Sequence, residues 1–481
     1  MGVTVSVAGK TVEPISYGIT EPSTPVIGGD SSGAVPTFEV TLPANEANPL
    51  TLYKADVAVT DSQYGTIRGR VDSNKLSQDG YTRTVSCTST SGELAVFNVV
   101  AKPFNGTLSA ALEYYIRLGH PTIAWSIPAG IGSQAVSFIG WTGELWYRLK
   151  QIAIAQSLEV VLLGNVVTFR RPRSVQIQNE HVTSSDLDVG TNDLAERAEM
   201  YWYTTSPVVN SSAYPPYRDL ESPQQYSVPS GEETEITLQL SVSLSSIVQP
   251  TYRTDISPTW FEGSAICLYT DSGAQISQAE WDRGGGSVRA EIQDDPTQVK
   301  LIIRGPTFAE GGFMSGGALK LVAPAGKTHR EYTTIRLRGT GVLFSKNLLS
   351  MPTGVPTSLA TSETTPTDDN IFVTSANRAY DICATLSAAY SYPQVTAAFE
   401  TPKPTPLGVT SGARFYDAQA GHWFRSRQNS YNRGTVGISG DIDTLHSDLS
   451  ASFIGRSYQQ VQDANAGLTY EQVRLKGLHS E

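Results

Sequence analysis

Residues 141–172 read WTGELWYRLKQIAIAQSLEVVLLGNVVTFRRP and carry the clearest local pattern in the chain. Apolar side chains recur at helical spacing, at Leu145, Leu149, Ile152 and Ala153. This spacing predicts an amphipathic helix over 142–157, with Thr142 as the N-cap and Glu144 in the first turn, where the helix dipole favours negative charge.

The second half of this stretch has a different pattern. EVVLL (159–163) and VVTFR (166–170) are rich in β-branched residues, and Gly164-Asn165 between them suits a two-residue turn. The sequence therefore predicts a unit of helix, strand, turn and strand. It contains no histidine, cysteine or paired acids, which indicates a structural role and not a catalytic one.

The composition favours many short strands. The chain has 481 residues, 39% of them hydrophobic and 17% charged, and its length corresponds to roughly three domains of about 150 residues each. Low charge combined with abundant Gly, Pro, Ser and Thr argues against helical bundles. We expect a mainly β fold with α+β parts.

Charge and cysteine content exclude several classes of function. The formal net charge of −11 makes a basic face for gripping nucleic acid unexpected. Cys87, Cys267 and Cys383 are too sparse for a disulfide framework or a CxxC metal site, so each is expected to be a small buried residue. The N-terminus resembles no signal peptide, and no apolar run approaches ~20 residues. These features predict a protein that is soluble and made in the cytoplasm.

Changes of pattern along the chain predict where its units begin and end. Strand-like alternation dominates 1–104, and 105–172 forms an α+β unit that starts with a helix capped by Thr107. A return to β structure follows over 173–224, where AEMYWYTTS (198–206) is the best strand.

The second half of the chain divides in the same way. Residues 225–344 are predicted to form an inserted all-β sandwich. The Pro-, Ser- and Thr-rich segment 345–370 is predicted to be a linker. Residues 371–481 return to strands after a helix within 374–392, whose apolar face carries Ala379, Cys383, Leu386 and Tyr390.

Candidate catalytic and phosphate-binding motifs have simpler structural interpretations. Gly284–Gly286 lacks the residues of a phosphate loop and is expected to be a turn. Asp294 and Asp295 precede a proline and are expected to point apart, not to form a catalytic pair. No residue is assigned a catalytic role, and no cofactor is predicted.

Four residues near the C-terminus are candidates for metal binding. Asp441 and Asp443 share one strand face, with His446 and Asp448 close by, and oxygen-rich groups can hold calcium. The spacing fits no established metal motif, however, so a solvated strand end is expected and no metal site is predicted. The remaining histidines are isolated in sequence, and no nucleophile elbow occurs.

Aromatic and basic residues leave two further possibilities. Trp260, Trp281 and Trp423 could stack on sugars, although tryptophan on a β-sandwich is more often part of the core or of an interface. The basic residues in YYIRLGHP (114–121) and FRRPR (169–173) are expected to pair with neighbouring carboxylates and not with phosphate.

Several of these segments resemble bacteriophage tail hub proteins, the minor tail proteins of long-tailed phages of actinobacteria. Residues 143–172 are similar to the helix–hairpin segment of that family, with Asn165 in place of the aspartate often found at the turn. Residues 105–119 are similar to its upstream helix, 225–344 to its inserted sandwich, and 412–444 to its last strands. The likeness touches most of the chain.

This resemblance implies a structural virion protein and not an enzyme. A homotrimer would form a ring at the tail tip, each subunit supplying two tail-tube-like β-barrel domains. The ring would join the distal tail protein ring to tip or fibre proteins, and the tape measure protein is a further candidate partner. DNA would pass through an acidic lumen without specific binding. The helix–hairpin unit would pack on the outside of the ring.

Two other functions stay open at this stage. One is a carbohydrate- or receptor-binding tail protein with 225–344 as its binding module, which an exposed aromatic cleft would favour. The other is a polysaccharide-degrading enzyme on a β scaffold, which two carboxyl groups ~5 to 10 Å apart across a groove would favour.

Overall fold

The computed structural model describes most of the chain between residues 3 and 442. The described residues are 3–22, 35–46, 54–90, 94, 97–163, 166–171, 184–190, 194–208, 227–254, 263–269, 274–307, 319–320, 335–358, 360–365, 368–391, 394–401, 414–417, 422–432 and 435–442. Strands dominate these residues, in agreement with the predicted mainly β fold.

The N-terminal region forms seven strands. They are β1 (Val3–Val7), β2 (Lys10–Val12), β3 (Ser16–Pro22), β4 (Thr37–Pro43), β5 (Asp56–Asp61), β6 (Gly65–Leu76) and β7 (Thr82–Ser89). Apolar and polar residues alternate along them, so that one face is buried and the other is open. In β4, for example, Phe38, Val40 and Leu42 are buried while Thr37 and Glu39 are exposed.

The α+β unit begins before residue 105. Its elements are β8 (Asn98–Ala101), β9 (Phe104–Thr107), α1 (Leu108–Gly119), β10 (Ala124–Ser126), β11 (Ala135–Phe138), β12 (Trp141–Glu144), α2 (Leu145–Ala155), β13 (Glu159–Leu163) and β14 (Val166–Arg170). Strand β8 pairs with β12 and β9 pairs with β11. The predicted boundary at residue 104 therefore cuts through this unit.

The structure confirms two local predictions for this unit, the cap of helix α1 and the β13–β14 hairpin. Helix α1 starts where expected, because the Thr107 hydroxyl accepts a hydrogen bond from the Ala110 N–H at 3.3 Å. Strands β13 and β14 are antiparallel with Leu163 opposite Val166, the register that a two-residue connection requires.

Helix α2 confirms the predicted helix but not its cap. Thr142 lies in β12, where its hydroxyl donates to the Asp294 carbonyl oxygen at 2.7 Å. Glu144 occupies the N-cap without a side-chain hydrogen bond. The cap prediction is wrong because Thr142 binds a residue that is distant in sequence.

The polar side of α2 is also covered. Lys150 and Gln151 are buried together with the apolar face. Asn370 Nδ2 donates to the Gln151 carbonyl at 2.9 Å, and the Arg378 guanidinium donates to the Ile154 carbonyl at 2.6 Å. The helix therefore lies within the core between distant segments, not only against one neighbouring surface.

The next strands are β15 (Ser184–Gly190) and β16 (Ala195–Val208), and the inserted region follows. The inserted elements are β17 (Ser227–Val228), β18 (Glu233–Gln239), β19 (Val242–Ile247), β20 (Pro250–Tyr252), β21 (Ser264–Ile266), α3 (Gln278–Arg283), β22 (Ser287–Ile292), β23 (Gln298–Arg304), β24 (Leu319–Lys320) and β25 (Ile335–Arg336). Buried side chains from Val228 to Leu337 form one hydrophobic cluster of their own.

The last elements are β26 (Gly339–Pro352), β27 (Ser362–Thr364), β28 (Asp368–Asp369), α4 (Ala376–Tyr390), β29 (Gln394–Thr401), β30 (Arg414–Asp417), β31 (His422–Asn432) and β32 (Thr435–Ile442). Helix α4 matches the predicted C-terminal helix, and Ala379, Cys383 and Leu386 are buried on it as expected. No helix among the described residues is long and apolar enough to cross a bilayer.

The predicted linker 345–370 is wrong over much of its length. Strand β26 continues through it to Pro352 and pairs antiparallel with β16, while β27 and β28 pair parallel with β16. Leu349 and Met351 on β26 pack against the core cluster that contains α4. Backbone pairing and these apolar positions override the loop-like composition. The predicted insert boundary at residue 344 falls inside the same strand.

The N-terminal strands and the strands of residues 394–442 share one sheet. The strand order is β15-β29-β32-β31-β3-β4-β7-β6-β5-β1-β2, and β30 completes twelve strands by pairing with β31. Strands β3 and β31 pair antiparallel, with Thr20 opposite Ser430. Tyr431, Val436 and Ile438 from the C-terminal strands lie in the same hydrophobic cluster as the N-terminal strands. The two strand-rich regions are thus joined into one body.

Candidate functional site: the polar face of the twelve-stranded sheet

Hydroxyl side chains line the open face of the sheet. The strand registers place Thr20, Thr37 and Thr88 opposite one another on β3, β4 and β7. Ser16, Thr41 and Thr84 form a second such row. These residues fall on the open face because they alternate with the buried residues of each strand.

The same surface continues across the junction of the two regions. Thr20 lies opposite Ser430, which in turn lies opposite Gly437 on β32. Asn432 lies opposite Gly18 on one side and Thr435 on the other. We call this surface the polar face, defined as the non-core side of the twelve-stranded sheet.

The N-terminal part of the polar face carries little net charge. The charged residues that it presents on β1 to β7 are Glu39, Asp56, Asp72, Arg68, Arg70 and Lys75. Acidic and basic groups are equal in number in this set. Several are held by neighbours: Ser86 donates to Glu39 at 2.9 Å, and the Thr88 hydroxyl donates to Asp72.

An open pocket of about 430 Å³ lies near the β2 end of this sheet. It is lined by Ser6, Gly9, Asp56, Val57, Ala58, Arg68, Gly69, Arg70, Thr90 and His120. Two guanidinium groups, one imidazole and two hydroxyls are donors that suit a carboxylate or a phosphate. We refer to it as the arginine pocket.

The two arginines of the pocket have different partners. Arg70 Nε lies 3.2 Å from Asp56 Oδ1, an exposed ion pair. No ion pair joins Arg68 to any carboxylate among the described residues, and its backbone carbonyl accepts from the Thr90 hydroxyl at 3.3 Å. Because one carboxylate faces two guanidinium groups, the pocket has an excess of positive charge.

His120 reaches the pocket from the C-cap of helix α1. Its Nδ1 accepts from the Ile123 N–H at 3.0 Å, which leaves the proton of the neutral ring on Nε2. The Arg117 guanidinium donates to the Ile123 carbonyl at 2.9 Å and fixes the same loop. The pocket is therefore built where the N-terminal strands meet the α+β unit.

Sequence reasoning did not single out this pocket. Arg68 and Arg70 alternate with buried residues in GTIRGR (65–70), which places both on one face. That signal was available, but the approach of His120 depends on tertiary packing. The expected pairing of other basic residues is confirmed: Arg117 binds Glu113 at 2.8 Å, and buried Arg170 binds Glu159 at 2.6 Å.

The segments 284–286 and 294–295, both predicted to be turns, lie in turns between helix α3 and strand β23. Asp295 Oδ1 accepts from the N–H and the hydroxyl of Thr297, so its carboxylate stabilises the connection between β22 and β23. The Asp294 carbonyl binds Thr142. Gly285 has a φ of +67°, and a Cβ on Gly286 would come within 2.4 Å of Trp281. These contacts and the glycine conformations hold the turns together.

The aromatic candidates do not form an open platform in the described residues. Trp281 is 5% exposed and stacks on Tyr252 with ring centroids 4.3 Å apart. Trp260 and the side chain of Trp423 lie outside the described residues, as do Asp443, His446 and Asp448. The backbone of Asp441 belongs to β32. Among described residues, no group of three or more His, Cys, Asp or Glu could hold a metal ion.

One aromatic cluster near the surface is occupied by the chain itself. Lys346 Nζ lies 3.8 Å from the centroid of the Tyr201 ring and 2.7 Å from Asp369 Oδ2. The Tyr203 hydroxyl donates to the other oxygen of Asp369 at 2.6 Å. A cation already covers the ring of Tyr201, so this cluster does not favour sugar binding.

The three thiols are buried, as predicted. Burial, reinforced by Asp72 and Glu39, raises the pKa of Cys87 to about 12. Burial together with Glu199 raises the pKa of Cys383 to about 12, and burial also raises the pKa of Cys267. Because the thiolate is the reactive form, these groups are poor nucleophiles.

No protein-family model and no curated protein match the sequence. Among solved structures, the chain is similar to a 43 kDa tail protein of prophage MuSo2 from Shewanella oneidensis (11% identity, TM-score 0.44), covering 92% of this chain and 97% of that one. A tail protein from Neisseria meningitidis MC58 gives 9% identity and a TM-score of 0.43, and the match covers 92% of this chain and 95% of that one. Prophage tail protein gp18 from Listeria monocytogenes EGD-e gives 8% identity and a TM-score of 0.41, and the match covers 94% of this chain and 98% of that one.

Proposed function

We propose that this chain is a structural hub subunit of a phage tail tip. Three copies form a ring that joins the distal tail protein ring to tip or fibre proteins, and DNA passes through its channel. The subunit acts by assembly in the virion and carries out no chemistry. The observation that supports this most strongly is the single sheet that joins the N-terminal strands to the strands of residues 394–442.

The organisation of this sheet suits a ring wall. Strands β1 to β7 form one block of the sheet, and strands β15 and β29 to β32 form a second block. The two blocks meet where β3 pairs with β31. Tyr64 and Tyr431 contact each other across the junction with ring centroids 5.4 Å apart. One subunit thus supplies two sheet blocks, and three subunits would supply six around a tube of sixfold symmetry.

The polar face is the surface that we assign to the channel. Hydroxyl groups stay hydrated, and DNA is held chiefly by cations that neutralise its phosphates. Because acidic and basic residues on β1 to β7 are equal in number, this face as a whole has no net positive charge, and positive charge is in local excess at the arginine pocket. The channel we propose is therefore neutral and hydroxyl-rich along these strands, in contrast to the acidic lumen expected from the net charge of −11.

The copy number of the chain in purified virions tests this function. Quantitative mass spectrometry against a labelled standard should give three copies per tail, when normalised to a protein of known copy number in the same particles. Six copies, or the absence of the chain from purified particles, would contradict the proposed role.

A further inference from the structure

We propose that the arginine pocket binds a phosphate group, held chiefly by the guanidinium of Arg68. The pocket is open, has a volume of about 430 Å³ and lies on the polar face near strand β2. Binding at this pocket needs only one chain, so it does not depend on the proposed ring.

Strand pairing gives Arg68 short neighbours on one side. Thr11 on β2 lies opposite Ser6 on β1, and Ser6 also lies opposite Ala58 on β5. Ala58 in turn lies opposite Arg68 on β6. Gly9, in the β1–β2 turn, has open space where a Cβ would be. Because directly opposite residues share one face of a sheet, these small side chains leave the space beside the guanidinium open.

The charges around this space do not compensate Arg68. Among the described residues that line the pocket, Asp56 is the one carboxylate, and its Oδ1 lies 3.2 Å from Arg70 Nε. Arg68 has no ion pair within the part of the chain that the structure describes, and its side chain is exposed. An anion can therefore reach its N–H donors, which are arranged to bind phosphate or carboxylate oxygens in pairs.

Further donors in the pocket favour phosphate over carboxylate. His120 reaches the pocket from the end of α1, and the neutral ring carries its proton on Nε2 because Nδ1 accepts from the Ile123 N–H at 3.0 Å. The Ser6 hydroxyl lines the pocket from β1. One guanidinium can bind both oxygens of a carboxylate, whereas a phosphate has additional oxygens that accept from the imidazole and the hydroxyl.

Two sources can supply a phosphate group to this pocket. A free or terminal phosphate carries more negative charge near neutral pH than the diester in a DNA backbone. In the proposed hub the polar face lines the channel, so the backbone of passing DNA would bring diesters next to the pocket. Inorganic phosphate and dimethyl phosphate are the probes that represent these two sources.

Binding of the two probes to the purified full-length chain is measured by their line broadening in phosphorus NMR. The wild type should bind inorganic phosphate, dimethyl phosphate or both with a Kd of about 1 mM. Arg68→Gln should raise that Kd by about tenfold or more, because charge-assisted hydrogen bonds are lost. Lys75→Gln removes one positive charge from the same face of the same strand, outside the pocket, and should leave the Kd unchanged.

The pattern of binding identifies the source. Binding of inorganic phosphate alone would assign the pocket to a free or terminal phosphate, and equal binding of dimethyl phosphate would assign it to the DNA backbone. Acetate at the same ionic strength should compete less well than phosphate. Melting curves of both variants should coincide with that of the wild type, because Arg68 and Lys75 are exposed.

Three results would overturn the phosphate pocket. The first is a wild type that binds neither probe at about 10 mM. The second is an unchanged Kd in Arg68→Gln or an equal loss in Lys75→Gln, since binding would then reflect overall charge. The third is acetate that competes better than phosphate. None of these results bears on the copy number of the chain in virions, which tests the proposed function separately.

Discussion

Leu149 is fully buried in the cluster that joins the α+β unit to helix α4. Leu149→Asp would place a charge among apolar side chains, which costs several kcal/mol. We expect phage carrying this change to lose assembled tails, not only infectivity. Electron microscopy of lysates, with the soluble yield of the chain, measures the effect.

Leu118→Asp is the matched control for Leu149→Asp. Leu118 is 40% exposed in the last turn of α1, so the same substitution there should leave tail number near wild type. Normal tails in Leu149→Asp phage would show that α2 is not a core helix of the particle.

The burial of the thiols predicts how fast they react with a labelling reagent. Cys87 and Cys383 have pKa values raised to about 12, so at pH 8 a thiol reagent should label the native chain slowly and the urea-unfolded chain at once. Raised pKa values in the folded state also mean that stability is lost as the pH rises from the ordinary thiol value of 9.0 toward 12. Rapid labelling of the native chain would contradict the burial of these residues.

At the scale of elements, local signals were sufficient where the partners are near in sequence. Thr107 caps α1, as its sequence predicts. The pairing of β13 with β14 also follows from a short connection. In these cases the hydrogen-bond partners lie within a few residues of one another, so propensity and spacing determine the result.

Elements whose partners are distant were predicted less well. The segment 345–352 looks like a linker, yet it forms half of β26 because β16 is available to pair with it. Thr142 looks like a cap, yet it binds Asp294. Composition reports what a segment prefers alone and not which strand or carbonyl the fold brings to it.

The separate hydrophobic cluster of the inserted region predicts that this region folds on its own. A fragment of residues 225–344 keeps the cluster from Val228 to Leu337 and the pairing of β19 with the first part of β26. It should therefore be soluble, β-rich and cooperative in thermal melting followed by circular dichroism. Trp281→Ala should lower its Tm, because this side chain is part of the core.

Binding assays with the same fragment separate the two functions considered for it. As a spacer it should bind host cell-wall polysaccharide weakly or not at all. Saturable binding that Trp260→Ala abolishes would favour the receptor-binding alternative. An aggregated fragment would show that the strands of the insert need β16 to fold.

At the scale of the whole molecule, the sequence predicted two strand-rich regions at the ends of the chain but not their union. Strands β3 and β31 pair residues as distant as Thr20 and Ser430. No local pattern encodes such a pairing, because alternation fixes only which side of each strand is buried. The arginine pocket was missed for the same reason, since His120 comes from a different unit.

In the proposed ring of three, each chain supplies two joined sheet blocks. Cryo-electron microscopy of the tail tip in intact virions tests this arrangement. We expect threefold symmetry, with three copies of this chain around a channel and the polar face turned toward the channel. A ring of six identical chains, a single copy, or a channel lined by other proteins would contradict it.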